Sequence, residues 1–330
     1  MRFSDYFESW LHQNYYKKGV KIGKNGDFYT AVSVGAFFGI CIAKEILRIY
    51  KNSKIYKFEK IDIVEIGANE GHLICDIIQG LYTFDSEIFK FFKFNIIEPH
   101  EALQKIQKEK IYERFGDEVE VRHISDIKNI KFKNTIFISN ELFDSFKCEI
   151  INNGKILFIT QNGKLEFKKI TDEKILNLTS KFQIKKGELP ISYYEFANLI
   201  SQSCENFEFI TFDYGYMHSL NEYSLRIYQN HQVFNFFEVE NLDDFFGKSD
   251  ITYNVNFEIL KDSFECCGAQ MSEFKKQKQA LVDFGATEIL EMFLQNKSKN
   301  GYNNALLEFK HLFNEFDEKF KMIKFKKGIL

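Results

Sequence analysis

Acidic and amide side chains stand where short apolar runs end: Glu65 and Glu98 at two early runs, and Asn140, Glu141 and Asp144 at a later one. A carboxylate at the carboxyl end of a strand in an open α/β sheet can accept hydrogen bonds from ribose hydroxyls. Glu65 lies in such a run (Ile61, Ile63, Val64, Ile66), which meets a small-residue turn at Gly67, Ala68, Asn69, Glu70 and Gly71. A helical pattern follows at Leu73, Ile74, Ile77, Ile78 and Leu81, so the spacing predicts strand, tight loop and helix. The helix N-terminus there would offer unpaired N–H groups, and glycines would let a ligand approach the backbone. Glu98 ends the next run, Phe94 to Ile97, so Glu65 and Glu98 bracket a candidate nucleoside pocket. The loop alone is also compatible with an ordinary strand-to-helix connection. It does not meet the dinucleotide fingerprint G-x-G-x-x-G, because only Gly67 and Gly71 are present, with Asn69 between them.

The later group, N-E-x-x-D at Asn140, Glu141 and Asp144, follows the strand-like TIFIS. Open α/β sheets put their chemistry at that edge, which points to catalysis or acceptor binding. The competing reading is a helix start in which Asn140 caps and Glu141 complements the dipole. A third polar grouping, Asp27, Phe28 and Thr30 in GDFYTA, reads either as a ligand-facing loop or as a glycine turn into a capped helix. His231 stands alone, and a lone histidine is more often a structural hydrogen-bonder than a catalyst.

The elements that must position these residues alternate. Strands are expected near Ile61–Ile66, Lys93–Glu98, Glu118–Ile124, Asn134–Ser139 and Phe207–Phe212, separated by helices, which implies a parallel, doubly wound sheet. Asn-Gly turns at Asn153-Gly154 and Asn162-Gly163 predict an antiparallel excursion between Cys148 and Ile170. Phe3, Phe7, Trp10 and Leu11 form the apolar stripe of a first helix, and Gln277–Phe293 and Asn304–Phe320 read as amphipathic terminal helices. The expected division is a helical cap at 1–58, a core at 59–147 and 205–275, an inserted hairpin and helical region at 148–204, and helices at 276–330.

With 330 residues, 45% of them hydrophobic, the chain can bury a large core. A net charge of -3 argues against a generally basic nucleic-acid-binding surface. The six cysteines have neither C-x-x-C pairing nor histidines at zinc spacing, so no metal is expected. No run of ~18 apolar residues and no signal-peptide pattern is present, which makes the cytoplasm the expected location and membrane insertion unexpected.

Several stretches together resemble the MidA family of S-adenosyl-L-methionine (SAM)-dependent methyltransferases, which includes a mitochondrial arginine methyltransferase acting in assembly of respiratory complex I. They are G-x-x-GDFYTA-x-x-V (Gly23–Val34), VEIGANEGHL (Val64–Leu73), IIEPHEALQKIQ (Ile96–Gln107) and SNELFDSF (Ser139–Phe146). FDYG (Phe212–Gly215), SLRIYQNH (Ser224–His231) and SDITYNVNFEIL (Ser249–Leu260) continue the match through most of the chain. The resemblance implies an α/β fold of the class I SAM-dependent methyltransferase (Rossmann-like) kind, with N-terminal helices, an inserted hairpin region and C-terminal helical additions. It further implies that Gly67, Ala68 and Gly71, beside Glu65, line the methionine end of SAM, that Glu98 meets the ribose, and that Ser125 and Asp126 meet the adenine edge. Asp27, Phe28 and Thr30 would close the pocket, while Asn140, Glu141 and Asp144 would face the methyl acceptor. The implied acceptor is an arginine on a protein substrate, with a subunit of the respiratory NADH dehydrogenase as the partner. Two positions depart from the family pattern: Asn69 replaces a glycine and Lys147 a proline. A non-catalytic assembly or scaffold protein that keeps the fold is the competing reading. Nicotinamide redox chemistry is disfavoured by the missing third glycine.

Overall fold

The computed structural model describes residues 1–18, 30–56, 59–295, 299–316 and 318–328. Its first strands are β1 (Ile61–Ile66), β2 (Phe92–Ile97), β3 (Val121–Ile124), β4 (Phe132–Asn140), β5 (Cys148–Asn152), β6 (Lys155–Ile159), β7 (Leu165–Lys169) and β8 (Lys186–Pro190). They are followed by β9 (Cys204–Tyr216), β10 (Arg226–Gln229), β11 (Gln232–Asn235), β12 (Asp250–Thr252), β13 (Val255–Asn256), β14 (Gln270–Lys276) and β15 (Phe320–Lys327). The chain divides into two compact units: a sheet unit of residues 29–140, 199–212 and 268–330, and a hairpin unit of residues 1–28, 141–198 and 213–267.

In the sheet unit the strand order is β14-β15-β9-β4-β1-β2-β3. β1 runs parallel to β2 and β4, β2 to β3, and β4 to β9, which is the parallel, doubly wound sheet expected from the alternation. β1 is buried along nearly its whole length, as a central parallel strand covered on both faces must be, and its β-branched residues suit that role. Helices Phe37–Asn52 and His72–Phe84 contribute Phe38, Ile42, Ile46, Ile74, Ile77 and Leu81 to the same core as Ile61, Ile63, Ile136 and Ile138. Burying each large side chain stabilises the unit by ~1.5–3 kcal/mol.

The terminal helices are present at Gln277–Asp283, Ala286–Gln295 and Lys299–Asn314. The last ends six residues before Phe320, and β15 then enters the sheet between β9 and β14. Sequence reading missed this strand because four lysines hide its apolar residues. One of them, Lys324, is 1% exposed and is neutralised by Glu45 (2.6 Å) and Glu273 (2.9 Å).

The hairpin unit holds two small sheets, β7-β6-β5-β8 and β11-β10-β12. Asn153 and Gly154 take φ values of 46° and 75°, the turn that joins β5 to β6 as the Asn-Gly signal predicts. The first helix, Phe3–Glu8, continues as a wider π turn from Ser9 to Tyr15, and Phe3, Phe7 and Trp10 are fully buried in this unit's own core. β13 pairs with the last residues of β9, so closely that a Cβ on Gly215 would sit 2.6 Å from the Val255 nitrogen. The glycine of FDYG is therefore required by backbone approach. Among the described residues no helix is long and apolar enough to cross a membrane.

Candidate functional site

The loop after β1 carries three left-handed residues at alternate positions: Gly67 (φ 72°), Asn69 (φ 46°) and Gly71 (φ 84°). Asparagine adopts this region more readily than other residues with a Cβ, so Asn69 takes a conformation suited to the glycine usual in the family. Gly71 caps helix His72–Phe84 without a side chain, and its N–H donates to Ala68 O at 2.7 Å. Ala68 is buried and Gly67 is exposed.

Two carboxyls flank this loop. Glu65 is 3% exposed; burial pushes its carboxyl up to about 8, opposed by the Ile74 N–H donated from the first turn of the helix. Its Oε2 is buried with no partner among the described residues. Glu98 follows β2 and is also 3% exposed. Burial raises it to about 7, against donation from the His100 N–H (2.9 Å) and Gln107 Nε2 (3.4 Å). Gln107 is fully buried on helix Glu101–Phe115 and also donates to Asn69 O at 2.7 Å, so one amide ties the loop to the second-strand acid. Sequence reading gave Gln107 no role. It ends the IIEPHEALQKIQ match, and that position was the available signal.

Ser125 and Asp126 lie just past β3. Gln104 Nε2 donates to both Glu98 O (2.7 Å) and Ser125 Oγ (3.0 Å), and Asp126 accepts from the Lys128 N–H. Thr30 is buried at the start of the short helix Ala31–Val34, where its N–H donates to Ser33 Oγ at 2.8 Å. Asp27 and Phe28, with the turn expected at Lys21–Asp27, lie outside the described residues.

Asn140 ends β4 in the sheet unit, and Glu141 opens the hairpin unit's second segment. No α-helix starts there. Phe143–Ser145 is a single 3₁₀ turn, and Asp213 Oδ2 accepts the N–H groups of Leu142 (3.1 Å) and Phe143 (2.9 Å). Glu141 has φ 49°, a strained conformation for glutamate that costs ~1–2 kcal/mol. Tyr193 Oη donates to Phe143 O (2.9 Å), and the Tyr253 N–H donates to Asp144 O (3.2 Å).

Asp144 is 4% exposed, and its Oδ2 lies 2.6 Å from Tyr214 Oη, which is also 2.6 Å from Thr252 Oγ1. The phenol has one proton, so it donates to the carboxylate and accepts from the threonine. Asp144 Oδ1 is buried without a partner among the described residues. Burial raises this carboxyl to about 6, while the Tyr214 hydrogen bond and the Arg226 guanidinium pull it down. Arg226 stacks 5.3 Å from the Tyr214 ring centre and donates to Asn254 Oδ1 at 2.7 Å. The structure thus groups Glu141 and Asp144 with Asp213, Tyr214, Arg226 and Thr252. The FDYG and SLRIYQNH stretches contained three of these partners, but nothing in one sequence gives their convergence. His231 sits in the exposed turn between β10 and β11 at φ 61°, outside this cluster. Lys147, at the family's proline position, pairs with Asp5 (2.7 Å) and Glu8 (2.8 Å).

A parallel α/β sheet with a left-handed glycine loop after its first strand and an acid after its second defines the class I methyltransferase fold. Residues 41–275 match the family described as "Putative S-adenosyl-L-methionine-dependent methyltransferase", and the chain belongs to that family, whose cofactor is SAM. Its fold is similar to that of a COG1565 superfamily member from Burkholderia thailandensis bound to S-adenosyl-homocysteine. That match has a TM-score of 0.84 and 18% identity, covering 100% of this chain and 88% of that one. A native crystal structure of an uncharacterized COG1565 superfamily protein from the same organism matches with a TM-score of 0.80 and 16% identity, again over 100% and 88%. A comparison with the curated proteins finds no match.

Proposed function

We propose that the chain transfers a methyl group from SAM to an arginine side chain of a protein. The observation that carries this reading is the carboxyl cluster of Glu141, Asp144 and Asp213, whose charge exceeds that of its single guanidinium, Arg226. A cluster of that sign suits a cationic acceptor. A respiratory NADH dehydrogenase subunit as the partner rests on the family resemblance alone.

The donor set of the sheet unit fits SAM. Glu65, with one buried oxygen unpartnered among the described residues, and Glu98 would be acceptors for an ammonium and for ribose hydroxyls. The backbone at Gly67, Ala68 and Gly71 would admit the methionine end, with Ser125 and Asp126 beside the adenine and Thr30 at the pocket wall. SAM supplies an electrophilic methyl group on a sulfonium. A guanidinium is a poor nucleophile until it is oriented and loses a proton. Glu141 would grip it through charge-assisted bonds, and Asp144, raised to about 6 and with an Oδ1 that has no side-chain partner among the described residues, would take the proton. The feature that favoured a non-catalytic scaffold was Asn69, and its left-handed conformation removes the steric objection to the loop.

Glu98 gives this reading a pH signature. Its ionised form accepts hydrogen bonds more strongly than the protonated acid, which turns one oxygen into a donor, and burial raises it to about 7. Glu98 should contribute a roughly tenfold rise in SAM affinity from pH 6 to 7.5, since one pKa unit is a factor of ten. Glu98→Gln should bind more weakly and with a shallower profile, the remaining rise being that of Glu65, raised to about 8; calorimetric titration across that range would refute the ribose role if the variant kept the wild-type slope.

The acceptor is tested with tritiated SAM and two degenerate peptide pools, one centred on arginine and one on lysine. Label confined to the arginine pool is the expected result. Label on the lysine pool alone, or on neither, would overturn the arginine assignment.

A further inference from the structure

We propose that Asp213 is the positioning residue of the acceptor cluster: its carboxyl holds the Glu141–Phe143 turn from the N–H side and, through its neighbour Tyr214, the side chain of Asp144. The proposal rests on the reading of this cluster as the acceptor site.

Asp213 is fully buried. Its Oδ2 accepts the N–H groups of Leu142 and Phe143, and its Oδ1 accepts that of Tyr214 at 2.9 Å. Two successive N–H groups closing on one carboxyl oxygen fix the turn through an acceptor built into the chain. Glu141 precedes that turn and is held at φ 49°. The other described non-glycine residues at positive φ are asparagines, a glutamine and a histidine, so Glu141 is the one acidic residue among them. Three hydrogen bonds converging on one buried carboxyl outweigh the cost of such a conformation. The same aspartate precedes Tyr214, whose phenol fixes Asp144 Oδ2. One dipeptide at the end of β9 therefore secures both proposed acceptor-facing carboxylates.

The ionisable groups facing Asp213 are Asp144 and Glu141 from the turn, Tyr193 from helix Tyr193–Ser203, and its neighbour Tyr214. Burial, followed by the charges of Asp144 and Glu141, raises the Asp213 carboxyl, and the N–H groups it accepts oppose that rise. Asp144, raised to about 6, therefore ionises while Asp213 still holds its proton, and Asp213 acts on the turn by accepting N–H groups rather than by charge.

The test compares the full-length wild type with Asp213→Ala and Asp213→Asn, using amide hydrogen exchange and label transfer from tritiated SAM to the arginine pool. In Asp213→Ala, exchange at Leu142 and Phe143 should accelerate at least tenfold and transfer should fall at least tenfold, and Asp213→Asn, whose amide oxygen can accept both N–H groups, should restore most of each. Amides of the Gly67–Gly71 loop and the affinity for S-adenosylhomocysteine should not change. Faster exchange with unchanged transfer would reduce Asp213 to a structural cap, and unchanged exchange would remove its role altogether; either overturns the proposal. If the variant does not fold, the wild type still decides. Leu142 and Phe143 should be protected at least 100-fold, and exchange at the unprotected rate refutes the positioning role. A wild type that labels no arginine pool, while the exchange differences appear, would overturn the arginine reading and leave the positioning of the cluster in place.

Discussion

Glu141→Gln should bind SAM as tightly as the wild type and lose methyl transfer by two to three orders of magnitude. The substitution keeps size and hydrogen-bonding reach but removes the charge that would orient a guanidinium. Loss of one preorganised electrostatic partner in a water-poor site costs ~3–4 kcal/mol in the transition state, which is that factor in rate. Binding should be spared because the residues proposed to hold SAM run from Glu65 to Asp126 with Thr30, and Glu141 is not among them. Glutamine at φ 49° is no worse placed than glutamate, and Gln183 already adopts φ 53° in this chain. Calorimetry for binding and tritium transfer for turnover would measure the two separately. Full activity in the variant would remove Glu141 from the mechanism.

The sheet was legible because its cues are local. β-branched runs, the glycine turn and the helical periodicity after Gly71 each follow from a few adjacent residues, and the strands they predicted are present. The Asn-Gly hairpin was legible for the same reason. β15 was not, because lysines break up its apolar pattern and the buried one, Lys324, is neutralised by Glu45 and Glu273, partners distant in sequence. The candidate site divides along the same line. Glu65, Glu98, Glu141 and Asp144 stand out as acids at strand ends. Gln107, Asp213 and Tyr214 are identified by what they touch: a carbonyl at Asn69, two N–H groups at Leu142 and Phe143, and an oxygen of Asp144. Those contacts exist only after folding.

Asn69 illustrates a departure that the structure explains. Its place in a glycine loop invites the expectation of a damaged site, yet φ 46° lies in the one left-handed region that asparagine enters at small cost. Gly67 has no such latitude toward bulk. At φ 72° a β-branched residue would clash with its own backbone, so Gly67→Val must shift the turn between β1 and helix His72–Phe84. The loop would then no longer present its backbone to a ligand, and SAM affinity should fall by at least two orders of magnitude while the buried core of the sheet unit remains intact.

Calorimetric titration of the wild type and Gly67→Val with SAM is the most direct test of the central claim, that the Gly67–Gly71 loop holds the methyl donor. The account predicts saturable binding of one SAM per chain by the wild type and none detectable in the variant, with both proteins folded by circular dichroism. Equal binding by the two proteins, or none by the folded wild type, would contradict it.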